Sequence, residues 1–277
     1  MTFSIILTSI DRKEELKRFV LSLNGQKNFD LTALQVIFVD QGVNESVFNL
    51  LDEKITKEYI KHAPCSLSKA RNVALPYVKN EIVCFGDDDA WYDEDTYERL
   101  NDAFEDNIDG VITVVKNEKD EKINIFPKKK QRLTLTNHCG ALSVSMFLKF
   151  DASISFDETI GVGSDYHLLS GEETDYLLMY MERHSKFNIE YRPDIVVRHP
   201  LAKKQNFDSY LQKNYYYARG AGYVLMKHKD KLPLLYRLKC FIRPLIGIFY
   251  YSLINHYRCR KSFFLLKGRI EGYNFKL

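Results

Sequence analysis

Three short apolar runs most constrain what this chain can fold into. They are FSIILTSI (residues 3–10), LQVIFVDQG (34–42) and EIVCFGD (81–87), each rich in β-branched or aromatic residues. Runs of this length and composition fit strands buried on both faces. Between the first two lies DRKEELKRFVLSLNG (11–25), where Leu16, Phe19, Val20 and Leu23 recur at helical spacing. Asp11 and Glu14 have the spacing of a capping box, and Gly25 can close the helix. SLSKARNVALPYV (66–78) suits a second helix, ending near Pro76. Strand, helix, strand, helix, strand over the first ninety residues argues for a parallel α/β sheet with right-handed crossovers. Ligands of such open sheets sit beyond the carboxyl ends of the strands. Asp40 and the triplet Asp87, Asp88, Asp89 fall at those ends.

Beyond Trp91 the pattern is mixed. DGVITVV (109–115), KINIF (122–126) and DIVVRHP (194–200) read as strands, and SVSMFLKF (143–150) and EETDYLLMYMERH (172–184) as helices. From Leu201 the chain becomes aromatic and helical, then apolar and basic together. Residues 227–277 hold twelve Lys or Arg against two acids, a net of +10, which leaves −7 on the rest of a chain whose total is +3. PLIGIFYYSLI (244–254) is too short to span a bilayer, which needs about twenty apolar residues. Its basic, aromatic flanks suit helices lying in an anionic membrane interface, or else a helical subdomain packed on the core. Five scattered cysteines without metal-ligand spacing imply reduced thiols and a cytoplasmic setting. The N-terminus reads as a first strand, not a signal peptide.

The stretch CFGDDDAWYDED (84–95) concentrates like charge, and a turn capping the next helix needs only Asp93 and Thr96. A carboxylate cluster at a strand end suits Mg2+ or Mn2+ held against substrate phosphates. A second acidic group, Glu172, Glu173 and Asp175 in GVGSDYHLLSGEETDYLLM (161–179), opens a helix behind a glycine-rich loop. Ser170 and Glu173 have capping-box spacing, and acids favour a first helical turn. A carboxylate there could equally serve as a general base toward a hydroxyl.

The order of these motifs resembles the family 2 inverting glycosyltransferases of the GT-A fold. The matching pieces are ILTSIDRKEELKRFVLSL, VIFVDQG, SLSKARNVAL, FGDDDAWY, FDETIGVGS with SGEETDYLLM, and VVRHP, collinear over roughly residues 3–200. The resemblance implies a Rossmann-like, mostly parallel sheet flanked by helices. Residues 1–90 would form its nucleotide-binding half and 91–200 its acceptor half, with 201–277 a helical extension. It implies a UDP-sugar or similar donor, a glycan or lipid-linked acceptor, and Mn2+ or Mg2+. By motif position Asp40 would bond the base, with Thr8 near the nucleotide; otherwise each is an ordinary strand-end residue. Arg71 would approach the nucleotide or diphosphate, or is a surface helix arginine. Asp87 and Asp88 would contact the donor, Asp87 and Asp89 the metal, and His199 a metal or phosphate. Trp91 would stack on the sugar or acceptor, unless it is simply a buried tryptophan. Glu173 is the implied base, with Glu172 and Asp175 behind it; the family commonly has Glu-Asp where this chain has Glu172-Glu173. YYYARGAGYVLMKH (215–228) also resembles bacterial members that build surface polysaccharides, at the inner face of the membrane.

Two other readings compete. A sugar nucleotidyltransferase would carry a glycine-rich basic loop directly after the first strand, and LTSIDRKEE has no glycine. An inactive homologue acting as a binding subunit sits poorly with intact carboxylates at both acidic sites. Dinucleotide binding fails because GVGSDY lacks the third glycine and follows no first strand. Nucleic-acid binding by the tail has no supporting motif.

Overall fold

The computed structural model describes residues 1–105, 107–123, 127–138, 140–201 and 206–277. The chain divides into two compact units, one of residues 1–65, 69–155 and 184–201, the other of residues 66–68, 156–183 and 202–277.

The first unit is built on a nine-stranded sheet. Its strands are β1 (Phe3–Ser9), β2 (Leu34–Asp40), β3 (Thr56–Lys61), β4 (Ile82–Asp87), β5 (Trp91–Tyr92), β6 (Gly110–Lys116), β7 (Gln131–Arg132), β8 (Met146–Lys149) and β9 (Ile189–Arg198). The order is β3-β2-β1-β4-β8-β6-β9-β5, with β7 also paired to β9. β3, β2, β1 and β4 are parallel neighbours, as are β6 and β9; β8 runs antiparallel between β4 and β6. Every residue of β1 and β2 is buried, as expected of strands covered on both faces.

Helix α1 (Lys13–Asn24) turns Leu16, Phe19, Val20 and Leu23 into the core, a burial that stabilises by roughly 1.5–3 kcal/mol for each side chain. The expected capping box is absent. Arg12 occupies the N-cap and no side chain caps the helix, while the Gly25 amide does close its C-terminus on the Leu21 and Leu23 carbonyls. α2 (Glu45–Phe48) and α4 (Thr96–Glu105) also belong to this unit. Phe3, Tyr97, Phe104 and Phe147 meet edge-on beneath the sheet.

Two sequence readings need correction here. SVSMFLKF is not a helix: Ser143–Ser145 form one 3-10 turn, and Met146–Lys149 enter the sheet between two partners. A run of four residues is too short to show a period, so strand pairing decides it. β3 escaped notice because TKEYIK is an exposed, charged edge strand without an apolar signal. Of KINIF, Lys122 makes a bridge to Lys116, and residues 124–126 lie outside the described residues, as does Cys139.

The second unit holds α5 (Glu172–Arg183), α6 (Phe207–Lys227), α7 (Leu234–Ser252) and α8 (His256–Tyr273). α3 (Leu67–Ala74) begins there and runs into the first unit. α6 and α8 approach to backbone contact, because a Cβ on Gly272 would stand 1.9 Å from the Arg219 carbonyl oxygen. α7 lies along α8, where Gly247 admits Ser262 and Phe241 meets Tyr273 edge-on. Among the described residues no helix is long and apolar enough to cross a membrane.

Candidate active site

Register sets the first half of the site. Thr8 pairs with Asp87 and Ser9 with Asp40, so the ends of β1, β2 and β4 share one rim. Just past that rim the Asp87 carbonyl accepts the Ala90 amide, and this tight turn presents three consecutive carboxylates.

Each carboxylate meets a cation. Asp87 accepts from Arg71 Nη2 at 3.1 Å. Asp88 accepts from Ser9 Oγ at 2.6 Å and Arg12 Nη1 at 2.6 Å. Asp89 takes Arg12 Nη2 at 2.8 Å on one oxygen and lies 3.1 Å from His199 Nε2 on the other. One guanidinium thus bridges two neighbouring aspartates, in the forked geometry that Arg provides and Lys does not. Arg18 fixes the turn from behind by donating to the Asp89 carbonyl oxygen at 2.7 Å. Burial works against charge on Asp89, and His199 with Arg12 overcome it, holding the carboxyl down at about 2. Burial pushes the Asp88 carboxyl the other way, upward, despite its partners.

Asp87, Asp89 and His199 each offer one ligand atom, and the three atoms lie within 4.8 Å of one another. His199 Nδ1 stands 2.8 Å from the Pro200 carbonyl oxygen, which can only accept, so the hydrogen sits on Nδ1 and Nε2 is turned toward the carboxylates. A bare Nε2 lone pair aimed at two anions is unfavourable. It needs either a proton, consistent with a His199 pKa that Asp89 and Asp87 raise against burial, or a cation. Two carboxylates and an imidazole match the ligand preferences of Mn2+ and tolerate Mg2+, so the donor set fits a divalent ion.

The remaining residues of this rim are placed as follows. Arg71 is not a surface arginine: it is fully buried, its guanidinium 5.7 Å from the Phe85 ring. Thr8 is buried on β1. Asp40 is buried and already accepts from the Gly42 and Asn44 amides, Asn44 Nδ2 and Tyr59 Oη, all at 2.8–2.9 Å. Burial alone would raise its pKa, but these bonds lower it. These four donors fix the Asp40 carboxylate at the rim, with Lys61 Nζ also 3.6 Å away. Gly42 is obligatory there, since a Cβ would sit 1.5 Å from the Ile10 carbonyl oxygen. Trp91 is half-buried, with the Arg18 guanidinium 3.8 Å above its ring. Arg198 anchors the strand before His199 by a forked pair with Asp93, 2.9–3.1 Å, and a further bond to Asp120.

Sequence reasoning missed Ser9, Arg12, Arg18 and Arg198. Arg12 was legible in principle, for it follows β1 directly at the carboxyl rim; its helical context concealed it.

The second acidic group belongs to the other unit. The Asp175 amide bonds the Gly171 carbonyl, which makes Gly171 the N-cap of α5. The Ser170–Glu173 capping box is therefore one residue out of register, and Ser170 Oγ donates to the Tyr217 carbonyl instead. Glu172 is buried, with its carboxyl against Gly161, where a Cβ would come within 3.3 Å of Glu172 Cδ and 2.6 Å of Ser68 Oγ. Gly161 has φ +110, a conformation that suits glycine. Glu173 is half-buried on the same first turn.

Asp175 is no base. Its side chain is fully buried, with Oδ1 2.8 Å from His228 Nε2 and Oδ2 2.9 Å from Lys227 Nζ. His228 Nδ1 reaches Glu182 at 2.7 Å, and Lys227 also binds Asp157 at 2.8 Å. This chain of ion pairs ties α5 to the end of α6. Its pH dependence follows by sign. Burial lowers the His228 pKa, but Asp175 and Glu182 raise it beyond the ordinary 6.5. The stabilisation is present in full below 6.5 and disappears as pH rises through the higher folded value. Burial raises the Asp157 pKa, but Lys227 and Thr159 lower it below 3.8, so its share is lost only on strong acidification. The melting temperature is expected to fall as pH rises from about 6.5, and His228→Gln to flatten that fall; an unchanged slope in the variant would contradict the assignment.

A GT-A-like sheet whose carboxyl rim groups two aspartates with a histidine is the framework of a glycosyltransferase. The model of Glycosyl transferase family 2 matches residues 4–160, and the chain belongs to that family. No curated protein matches the sequence. Among solved structures, S. aureus TarS 1-349 in complex with UDP-GlcNAc is 16% identical, covering 98% of this chain and 91% of that one, with a TM-score of 0.60. The mannosyltransferase PcManGT from Pyrobaculum calidifontis, in complex with GDP-Man and Mn2+, is 14% identical, covering 98% and 86%, with a TM-score of 0.59. Both likenesses are of fold.

Proposed function

We propose that the protein transfers a sugar from a nucleoside-diphosphate sugar, a UDP-sugar foremost, to a hydroxyl of a glycan or lipid-linked acceptor with inversion. The setting we propose is bacterial polysaccharide synthesis, in the cytoplasm and peripheral to the inner face of the membrane. Residues 1–90 would serve as the nucleotide half, 91–200 as the acceptor half, and 201–277 as the membrane-directed region. The observation that carries the reading is the grouping of Asp87, Asp89 and His199 at the rim of β1 and β4. TarS and PcManGT, captured with UDP-GlcNAc and with GDP-Man and Mn2+, support a donor of this class.

Asp87, Asp89 and His199 would hold the metal, Mn2+ or Mg2+. Bound there, the ion would act as a Lewis acid, offsetting charge on the departing diphosphate. Arg12 and Ser9 hold Asp88, and Arg12 also holds Asp89, so the acidic turn is set before donor arrives. Arg71, buried beside Asp87, would bring a fixed positive charge toward the diphosphate. Thr8, Asp87 and Asp88 would line the nucleoside side, with Asp40 bonding the base. Trp91, backed by Arg18, would offer a flat surface to the acceptor.

Glu173 would take the proton of the acceptor hydroxyl as that oxygen bonds to the anomeric carbon. The bond from that carbon to the diphosphate breaks with its electron pair leaving on the diphosphate oxygen, which inverts the centre. Glu172, more deeply buried, is the second candidate.

Slow donor hydrolysis tests the reading without knowing the acceptor. Purified protein is expected to release UDP from at least one UDP-sugar with Mn2+ present, to stop with EDTA and to resume on adding Mn2+. Absence of release from any UDP- or GDP-sugar, with no binding of either nucleotide, would contradict it.

A further inference from the structure

Helix α7 carries two unlike faces. Arg237, Cys240, Phe241, Gly247 and Tyr251 face α8: Arg237 bonds Tyr273 Oη, the Cys240 carbonyl accepts from Arg269, and Arg258 lies over Tyr251. On the opposite side Leu234, Leu238, Ile242, Leu245, Ile246 and Phe249 are all exposed, and they recur at intervals of three and four. Phe249 is 70% exposed and Leu253, just past the helix, 92%. A continuous apolar stripe of this kind on the outside of a folded chain marks an interaction surface.

We infer that this outer face of α7 is a membrane-docking surface, lying flat in the interface of an anionic bilayer. The inference rests on the membrane-peripheral setting proposed above and names the element responsible. Three observations favour a bilayer over a protein partner. The 19 residues of α7 include no acid, and the exposed Lys239 and Arg243 flank the stripe, with Lys229 and Lys231 just before it. The region from residue 227 onward has a net charge of +10, so a second copy would bring like charge against like, whereas anionic headgroups complement it. The helix is too polar to cross a bilayer, but aromatic and aliphatic side chains on one face with cations beside them suit burial to the depth of the acyl boundary. Tyr250 and Tyr257, both exposed, add ring edges suited to the headgroup level.

The test is co-sedimentation of the full chain with vesicles of phosphatidylcholine alone or mixed with phosphatidylglycerol. Donor hydrolysis without vesicles is measured alongside. Wild type is expected to sediment with anionic vesicles, and much less with neutral ones. The double variant Ile246→Glu with Phe249→Glu is expected to lower the bound fraction at least roughly tenfold while leaving donor hydrolysis unchanged. Lys239→Glu with Arg243→Glu should remove the preference for anionic lipid. Wild type that stays in solution with every vesicle would overturn the inference. So would a dimer in light scattering that Ile246→Glu with Phe249→Glu dissociates without any change in sedimentation. Vesicle binding with no donor hydrolysis would keep the docking surface and reject the enzymatic reading instead.

Discussion

Asp89→Ala is expected to lower turnover about 1,000-fold and to remove the metal dependence of nucleotide binding. Asp89 offers one oxygen to the group that would hold the ion and gives the other to Arg12. Losing that carboxylate removes a ligand charge and releases the guanidinium that sets the turn. Electrostatic stabilisation of a leaving diphosphate by a metal is worth several kcal/mol, which is roughly three powers of ten in rate. The fold should survive, because Arg12 keeps Asp88 and His199 keeps Asp87 at 4.0 Å. Isothermal titration of UDP with and without Mn2+, beside a melting curve, separates the two effects. Binding of UDP that is equally metal-dependent in Asp89→Ala would show the ion to be held elsewhere.

Glu173→Gln is the second large effect, and it should fall on the other kinetic quantity. Glutamine keeps the shape of the side chain but cannot accept a proton, so donor affinity is expected to stay and turnover to drop roughly 100- to 10,000-fold. Glu172→Gln, on the same turn, should matter less to rate. Asp175→Asn provides the contrast, because its carboxylate is fully buried between Lys227 and His228. Breaking that arrangement leaves cations without their partner and is expected to cost about 3 kcal/mol of stability. Turnover scaled to folded protein should then change little. Full activity in Glu173→Gln together with loss in Glu172→Gln would move the base by one residue.

Three of the four neighbouring parallel strands, β1, β2 and β4, were legible in the sequence because their signals are local, whereas the charged edge strand β3 was not. Runs such as Ile5–Leu7 and Val36–Val39 are apolar without interruption, and α1 repeats Leu16, Phe19, Val20 and Leu23 at helical spacing. What failed depends on distant partners. Met146–Lys149 becomes a strand only because β4 and β6 offer edges on both sides. In the site, Asp87, Asp89 and His199, which motif position names as metal ligands, lie near one another. Motif position could not show that Arg12 bridges Asp88 and Asp89, or that Asp175 is neutralised by Lys227 and His228 from residues 52 and 53 positions away. The question raised by three adjacent aspartates therefore has a protein answer as well as a metal one: Arg71, Arg12 and His199 each take a share of the charge.

The most direct measurement is anomalous scattering at the manganese edge from a crystal grown with UDP and Mn2+. The expected result is one peak within coordination distance of Asp89 and His199, with Asp87 turned toward it and the diphosphate on its far side. A nucleotide seated with no ion beside Asp87, Asp89 and His199, and His199 still bonded to Asp89 alone, would contradict the account.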